Sequence, residues 1–152
     1  HMKKAILSFV CLLFLSFTTA LKAQETATPS IDPNAPEITF ENETVDYGTV
    51  EYDGNGFREF KIKNTGKSPL IISNVQGQCG CTTTTHDGKP GWPQEPIAPG
   101  KTGVIRVKYD TKRPGPFDKK VTITSNAKTA SKVVTIKGTV KPAPTIDNPQ
   151  GK

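Results

Sequence analysis

Residues 119–140 read KKVTITSNAKTASKVVTIKGTV. Val121 and Ile123 alternate with polar neighbours until Ser125-Asn126 interrupts the run. Val134, Ile136 and Val140 then restore the alternation over residues 132–140. Side chains two apart lie on one face of an extended chain, so this pattern predicts two strands, each with one face buried and one wet.

The same signature recurs towards the N-terminus. Residues 103–109, GVIRVKY, place Ile105, Val107 and Tyr109 on one face and Arg106 and Lys108 on the other. Residues 57–63, FREFKIK, alternate Phe60 and Ile62 with charge and end at the turn cluster Asn64-Thr65-Gly66. Residues 70–75, LIISNV, are rich in β-branched side chains. Two shorter pieces precede them, at residues 38–40 and 45–50, the second broken by Gly48. No window long enough for a helix carries an apolar period of 3.6 residues.

About seven strands, with turn signals every ~8–12 residues, predict an all-β, immunoglobulin-like antiparallel β-sandwich. A barrel is the alternative. The chain has 152 residues, 13 of them Gly and 13 Pro, enough for one turn-rich domain and a poor composition for a helical bundle. Three Cys, two His and one Met exclude an iron–sulfur protein or a multi-ligand zinc fold.

The ends read differently from the centre. His1 precedes Met2 and reads as an expression scar. Lys3 and Lys4, the apolar run 5–17 and the small-residue exit 18–24 have the layout of a secretory signal peptide. The run is shorter than the ~20 residues that span a bilayer, so no membrane span is expected after cleavage. Cleavage is placed after Ala23, with Ala20 as the alternative. Cys11 lies inside the apolar run rather than at its exit, which argues against a lipoprotein. Removing residues 1–23 takes Lys3, Lys4 and Lys22 from a net charge of +6 and leaves +3. That weak charge, with export, excludes nucleic acid as the expected partner.

Residues 24–36, QETATPSIDPNAP, are expected to form a flexible linker. Residues 141–152, KPAPTIDNPQGK, are expected to form a disordered tail. The folded part is thus placed at 37–140, as a monomer in the periplasm, at the cell surface or secreted.

The chemically distinctive stretch is the long connection 76–102, QGQCGCTTTTHDGKPGWPQEPIAPGKT. It holds Cys79, Cys81, His86, Trp92 and four prolines. Connections beyond ~12–15 residues in a compact domain are usually functional or disordered, and cysteines with a tryptophan argue for order.

Several phrases recur in a family-like order. They are Tyr47-Gly48, residues 60–66 (FKIKNTG), Pro69-Leu70-Ile71-Ile72, Cys79-Gly80-Cys81-Thr82, residues 97–101 (IAPGK), Gly115-Pro116-Phe117, Ser125-Asn126 and Ile136-Lys137-Gly138. Together they resemble a bacterial domain of unknown function, number 1573 in its series, found in exported proteins of Bacteroidetes-like bacteria. The resemblance covers residues 37–140. It implies an Ig-like sandwich similar to the major sperm protein and ASPM–SPD-2–hydin group, and an exported location. It implies no established activity, cofactor or partner.

Four readings of the Cys-Gly-Cys loop stand side by side. Cys79 and Cys81 can form a structural disulfide, whose very short loop contributes little chain entropy. They can form a redox-active disulfide, with His86 or Lys89 lowering a thiol pKa. With His86 they offer a soft S₂N set suited to Cu(I), although zinc would need a fourth ligand. They can also pack as free thiols. His86-Asp87-Gly88 reads as a turn with a solvated imidazole. Trp92 reads as a lid over the core edge, with an exposed anchor for a partner as the alternative.

These features predict a non-enzymatic binding or scaffolding module for an unidentified protein or peptide, with no resident cofactor. The alternative is a thiol-dependent copper-binding or redox-exchange protein using Cys79 and Cys81. A donor of a strand edge, by analogy with related sandwiches, is a third reading.

Overall fold

The computed structural model describes residues 32–146. The expected leader, the linker up to residue 31 and the tail from residue 147 lie outside the described residues.

Ten strands follow one another: β1 (Ile38–Phe40), β2 (Thr44–Val50), β3 (Phe57–Asn64), β4 (Ile72–Gly77), β5 (Thr82–Thr83), β6 (Thr85–His86), β7 (Lys89–Pro90), β8 (Thr102–Tyr109), β9 (Gly115–Ser125) and β10 (Ser131–Val140). One sheet has the order β1-β3-β8-β5 and the other β2-β10-β9-β4. The chain crosses between them after β1, β2, β3, β4 and β8. β9 and β10 form an antiparallel hairpin, and β2 runs parallel to β10.

The alternation fixes which side chains meet. Phe60, Ile62, Ile105, Val107 and Tyr109 point inward from the first sheet, and Val75, Phe117, Val121, Ile123, Val134 and Ile136 from the second. Their partners along each strand are mostly charged or hydroxylated and wet. Each buried aliphatic side chain stabilises the fold by roughly 1.5–3 kcal/mol, which is why a strict period of two is strong evidence for a sheet pair. An aromatic cluster joins the layers. Tyr109 stacks on Phe117 with centroids 3.7 Å apart, and Tyr47 meets the same ring edge-on at 5.2 Å.

Sheet edges are short or irregular. β1 has three residues and β5 two. β2 pairs with β10 through a register shift beside Gly48, whose φ of +64° is open to glycine at little cost. β4 shifts register between Ile72 and Asn74. Such breaks keep exposed edges from pairing with other chains.

Two expectations from the sequence are corrected. β4 begins at Ile72 rather than residue 70, because Leu70 leaves the sheet to bridge Ile97 while Asn126 Oδ1 accepts from the Ile71 N–H. The end of the expected linker is not free: Pro36 is buried, its carbonyl accepts from Lys128 N–H at 3.0 Å, and a turn closes from Ala35 N–H to Asp32 O at 3.0 Å. The long connection 76–102 is ordered and contains β5, β6 and β7. Among the described residues, no helix is long and apolar enough to cross a membrane.

Candidate functional site

Cys79-Gly80-Cys81 forms the passage from β4 in one sheet to β5 in the other. The preceding residue is tied to the second sheet: Gln78 N–H donates to Lys120 O at 2.9 Å, and Lys120 N–H donates to Gln78 Oε1 at 3.0 Å. The end of the passage is tied to the first sheet, where Asp110 N–H donates to Cys81 O at 2.8 Å. Between these anchors the chain turns, and Thr82 N–H donates to Cys79 O at 3.1 Å. The turn is therefore held by backbone bonds at both ends and across its middle.

Within it the two sulfurs are joined, with the Cα atoms 5.2 Å apart, inside the range usual for a disulfide. The two cysteines are not equivalent. Cys81 is 4% exposed and belongs to the hydrophobic core, whereas Cys79 is half-buried and packs on the core's rim. A groove of about 350 Å³ opens beside them, lined by Gln76, Gly77, Cys79, Gly80 and the threonines 82–85. No charged side chain lines it. Gly77 is required there, because a Cβ would collide with the Thr82 carbonyl. Thr84 is buried, and its hydroxyl donates to Val75 O at 2.6 Å, tying the threonine run to β4.

His86 does not join the cysteines. It sits in β6 of a tight hairpin in which Asp87 (φ 53°) and Gly88 (φ 73°) supply the two left-handed residues that such a turn demands. The turn read from the sequence is present, but the imidazole is not free in solvent. It is half-buried, meets the Phe57 ring edge-on at 4.9 Å, and Nε2 donates to Arg106 O at 3.2 Å. Thr82 pairs with Tyr109, so Arg106 lies three residues further along β8, about 10 Å away at the usual strand rise. Among the described residues, no group of three or more His, Cys, Asp or Glu side chains is placed to hold a metal ion. The S₂N copper set of Cys79, Cys81 and His86 is thus not assembled. Lys89, in β7 beyond the same turn, pairs with His86.

Trp92 packs half-buried against the core, and its carbonyl accepts from Gln94 Nε2 at 3.0 Å. Beside it, Gly91 completes the β8 edge where β5 stops: Arg106 N–H donates to Gly91 O at 2.6 Å and Gly91 N–H to Thr84 O at 2.8 Å. A Cβ at Gly91 would lie 2.6 Å from Arg106 O, so only glycine fits.

Burial pushes the Tyr109 hydroxyl's pKa up, and Tyr47 is pushed up to about 12 for the same reason, against the pull of the Arg58 guanidinium. Arg58 Cζ lies 4.3 Å from the Tyr47 ring centroid. The sequence reading singled out neither the anchors Gln78, Lys120 and Asp110 nor the groove residues Gln76 and Gly77. No local pattern marks them, because their role depends on which strands become neighbours.

Two sheets with strands β1-β3-β8-β5 facing β2-β10-β9-β4, joined by crossovers and with β2 parallel to β10, define an immunoglobulin-like β-sandwich. The chain belongs to the family described as protein of unknown function (DUF1573), which matches residues 38–140. The fold is similar to that of a protein of unknown function from Porphyromonas gingivalis W83, with a TM-score of 0.61 and 15% identity over 74% of this chain. This chain spans about half of that one, 51%. It is also similar to the ASH/PapD-like domain 7 of human CEP192, with a TM-score of 0.56, 8% identity, and coverage of 77% of this chain and 94% of that one. At these identities the likeness concerns the fold. No curated protein matches the sequence.

Proposed function

We propose that this chain is an exported, non-enzymatic module that holds an extended segment of a partner protein in the groove beside Cys79-Gly80. The carrying observation is the lining of that groove: threonine hydroxyls, Gln76 and backbone groups, with no charged side chain. Such a lining offers hydrogen bonds to a peptide backbone without selecting for charge. The bulged or short edges of both sheets favour this groove over strand addition at an edge. Export is supported by the leader-like residues 2–23. The non-enzymatic reading is supported by His86, which is committed to Arg106 O and Phe57 rather than to a nucleophile.

The test is peptide selection. Octapeptides selected from a random library on the full chain should bind it saturably. Thr83→Arg, placed in the groove, should abolish binding, whereas Val133→Arg, on the exposed outer face of β10, should not. Equal binding to both variants would remove the groove from the function.

A further inference from the structure

We propose that Cys79–Cys81 is a thiol–disulfide exchange site, with Cys79 the sulfur attacked by an incoming thiolate and Cys81 the leaving sulfur. The substrate class is an exposed dithiol on a protein. The inference goes beyond peptide binding and does not depend on it, because a small thiol suffices to test it.

Three observations carry it. The first is the size of the ring. The bond links residues two apart and closes the loop around Gly80 alone, so it removes little entropy from the unfolded chain. The second is that the turn does not need the bond. Gln78–Lys120, Cys81–Asp110 and Cys79–Thr82 backbone contacts hold it independently of sulfur. Breaking the bond therefore leaves the passage between the sheets anchored. The third is asymmetric access. Cys79 lines the groove, while Cys81 is 4% exposed within the core.

Gly80 adds to this. A Cβ built there meets nothing within 4 Å, and its φ lies outside the left-handed region. The fold at this position accepts a side chain, so a branched residue next to Cys79 tests access to that sulfur. Exchange rates depend on such access to the sulfur attacked.

A substrate thiolate attacks Sγ of Cys79. A bond forms between the two, the Cys79–Cys81 bond breaks, and Sγ of Cys81 departs with the electron pair and takes a proton from water. The substrate's second thiolate then attacks its own sulfur in the mixed disulfide and releases Cys79 as a thiolate, which is also protonated. The substrate dithiol loses two electrons and two protons, and the Cys79/Cys81 pair gains both.

The experiment uses the full chain with Cys11→Ser, so that only the pair reports. The chain is equilibrated in glutathione buffers of graded redox ratio, quenched with acid, alkylated and weighed. Exchange predicts interconversion of oxidised and reduced protein with near-UV circular dichroism unchanged and the Tm lowered by less than about 10 °C. Gly80→Val should slow reduction by a bulky protein dithiol at least about tenfold by closing access, with Tm unchanged. In single-cysteine chains, Cys79 (with Cys81→Ser) should form a mixed disulfide with oxidised glutathione about tenfold faster than Cys81 (with Cys79→Ser). Should those variants fail to fold, the glutathione titration and Gly80→Val decide alone. The proposal is overturned if the folded chain is reduced only on unfolding, if reduction lowers the Tm further than stated, if Gly80→Val leaves the rate unchanged, or if the two single cysteines react equally.

Discussion

The side-chain amide of Asn64 donates to the backbone carbonyl of Ile97 at 2.9 Å, joining the end of β3 to a segment 33 residues away. Asn64 is fully buried, and the same Nδ2 donates to Ser68 O at 2.8 Å while Oδ1 accepts from Gly66 N–H at 3.0 Å. One side chain thus closes the turn after β3 and fastens the far end of the long connection that carries Cys79 and Cys81.

Replacing Asn64 by Asp keeps the shape and removes both donors. It leaves the carbonyls of Ser68 and Ile97 facing an acceptor. At pH 7 the variant should lose at least about 3 kcal/mol in urea unfolding. The deficit relative to the parent should shrink near pH 3, where a protonated carboxyl donates again. A loss below about 1 kcal/mol would show that the network is dispensable.

Tyr47 gives the fold a dependence on alkaline pH. Its hydroxyl is buried and donates to Gly56 O at 2.8 Å. The folded pKa, about 12, lies above the ordinary value of 10.0. The folded state therefore holds the proton more tightly than the unfolded chain does. That stability is fully present below pH 10 and is lost as pH rises from 10 to 12, by about 2–3 kcal/mol. Tyr109, also raised, acts in the same direction. Tyr47→Phe should cost about 1–2 kcal/mol at pH 7 and flatten the alkaline decline. An unchanged decline would place its origin elsewhere.

Two glycines should respond in opposite ways to a methyl group. At Gly138 a Cβ would lie 2.8 Å from Tyr47 Cβ and 2.9 Å from Gly48 O, where β10 passes the bulge in β2. Gly138→Ala should destabilise by about 1–3 kcal/mol. At Gly80 the space is open, and Gly80→Ala should change stability by less than about 0.5 kcal/mol. Thermal unfolding of the two variants compares them directly.

Trp92 tests the lid. Because it packs half-buried on the core, Trp92→Ala should lower stability by about 2–4 kcal/mol, while peptides selected on the parent chain keep their affinity once the variant is folded. Loss of peptide affinity at unchanged stability would make Trp92 an anchor for a partner instead.

The long strands were legible because each shows strict alternation against a wet face. Phe60/Ile62, Ile105/Val107 and Val121/Ile123 are all inward pairs of this kind. The β6–β7 hairpin had a local signal, Asp87-Gly88, whose two left-handed residues make a tight turn. Its flanks are only two residues each, too short for periodicity to reveal. Pro36 was misjudged because composition gives no sign that the Asn64–Ser68 turn and Lys128 offer it a surface. The separation of His86 from Cys79 and Cys81 was likewise hidden. Five residues of sequence say nothing about a hairpin that turns the imidazole onto Phe57.

The parallel pairing of β2 with β10 also sets an order of events. β10 lies inside its sheet between β2 and β9, and it is the last strand of the sandwich to be synthesised. Until it arrives, β2 has no neighbour in that sheet, and joining Thr44 to Thr135 closes a loop of about 90 residues. Closing such distant contacts makes folding slow. A nascent chain of this topology stays open until its final strand emerges, and an open chain is the form that can be threaded through a narrow channel.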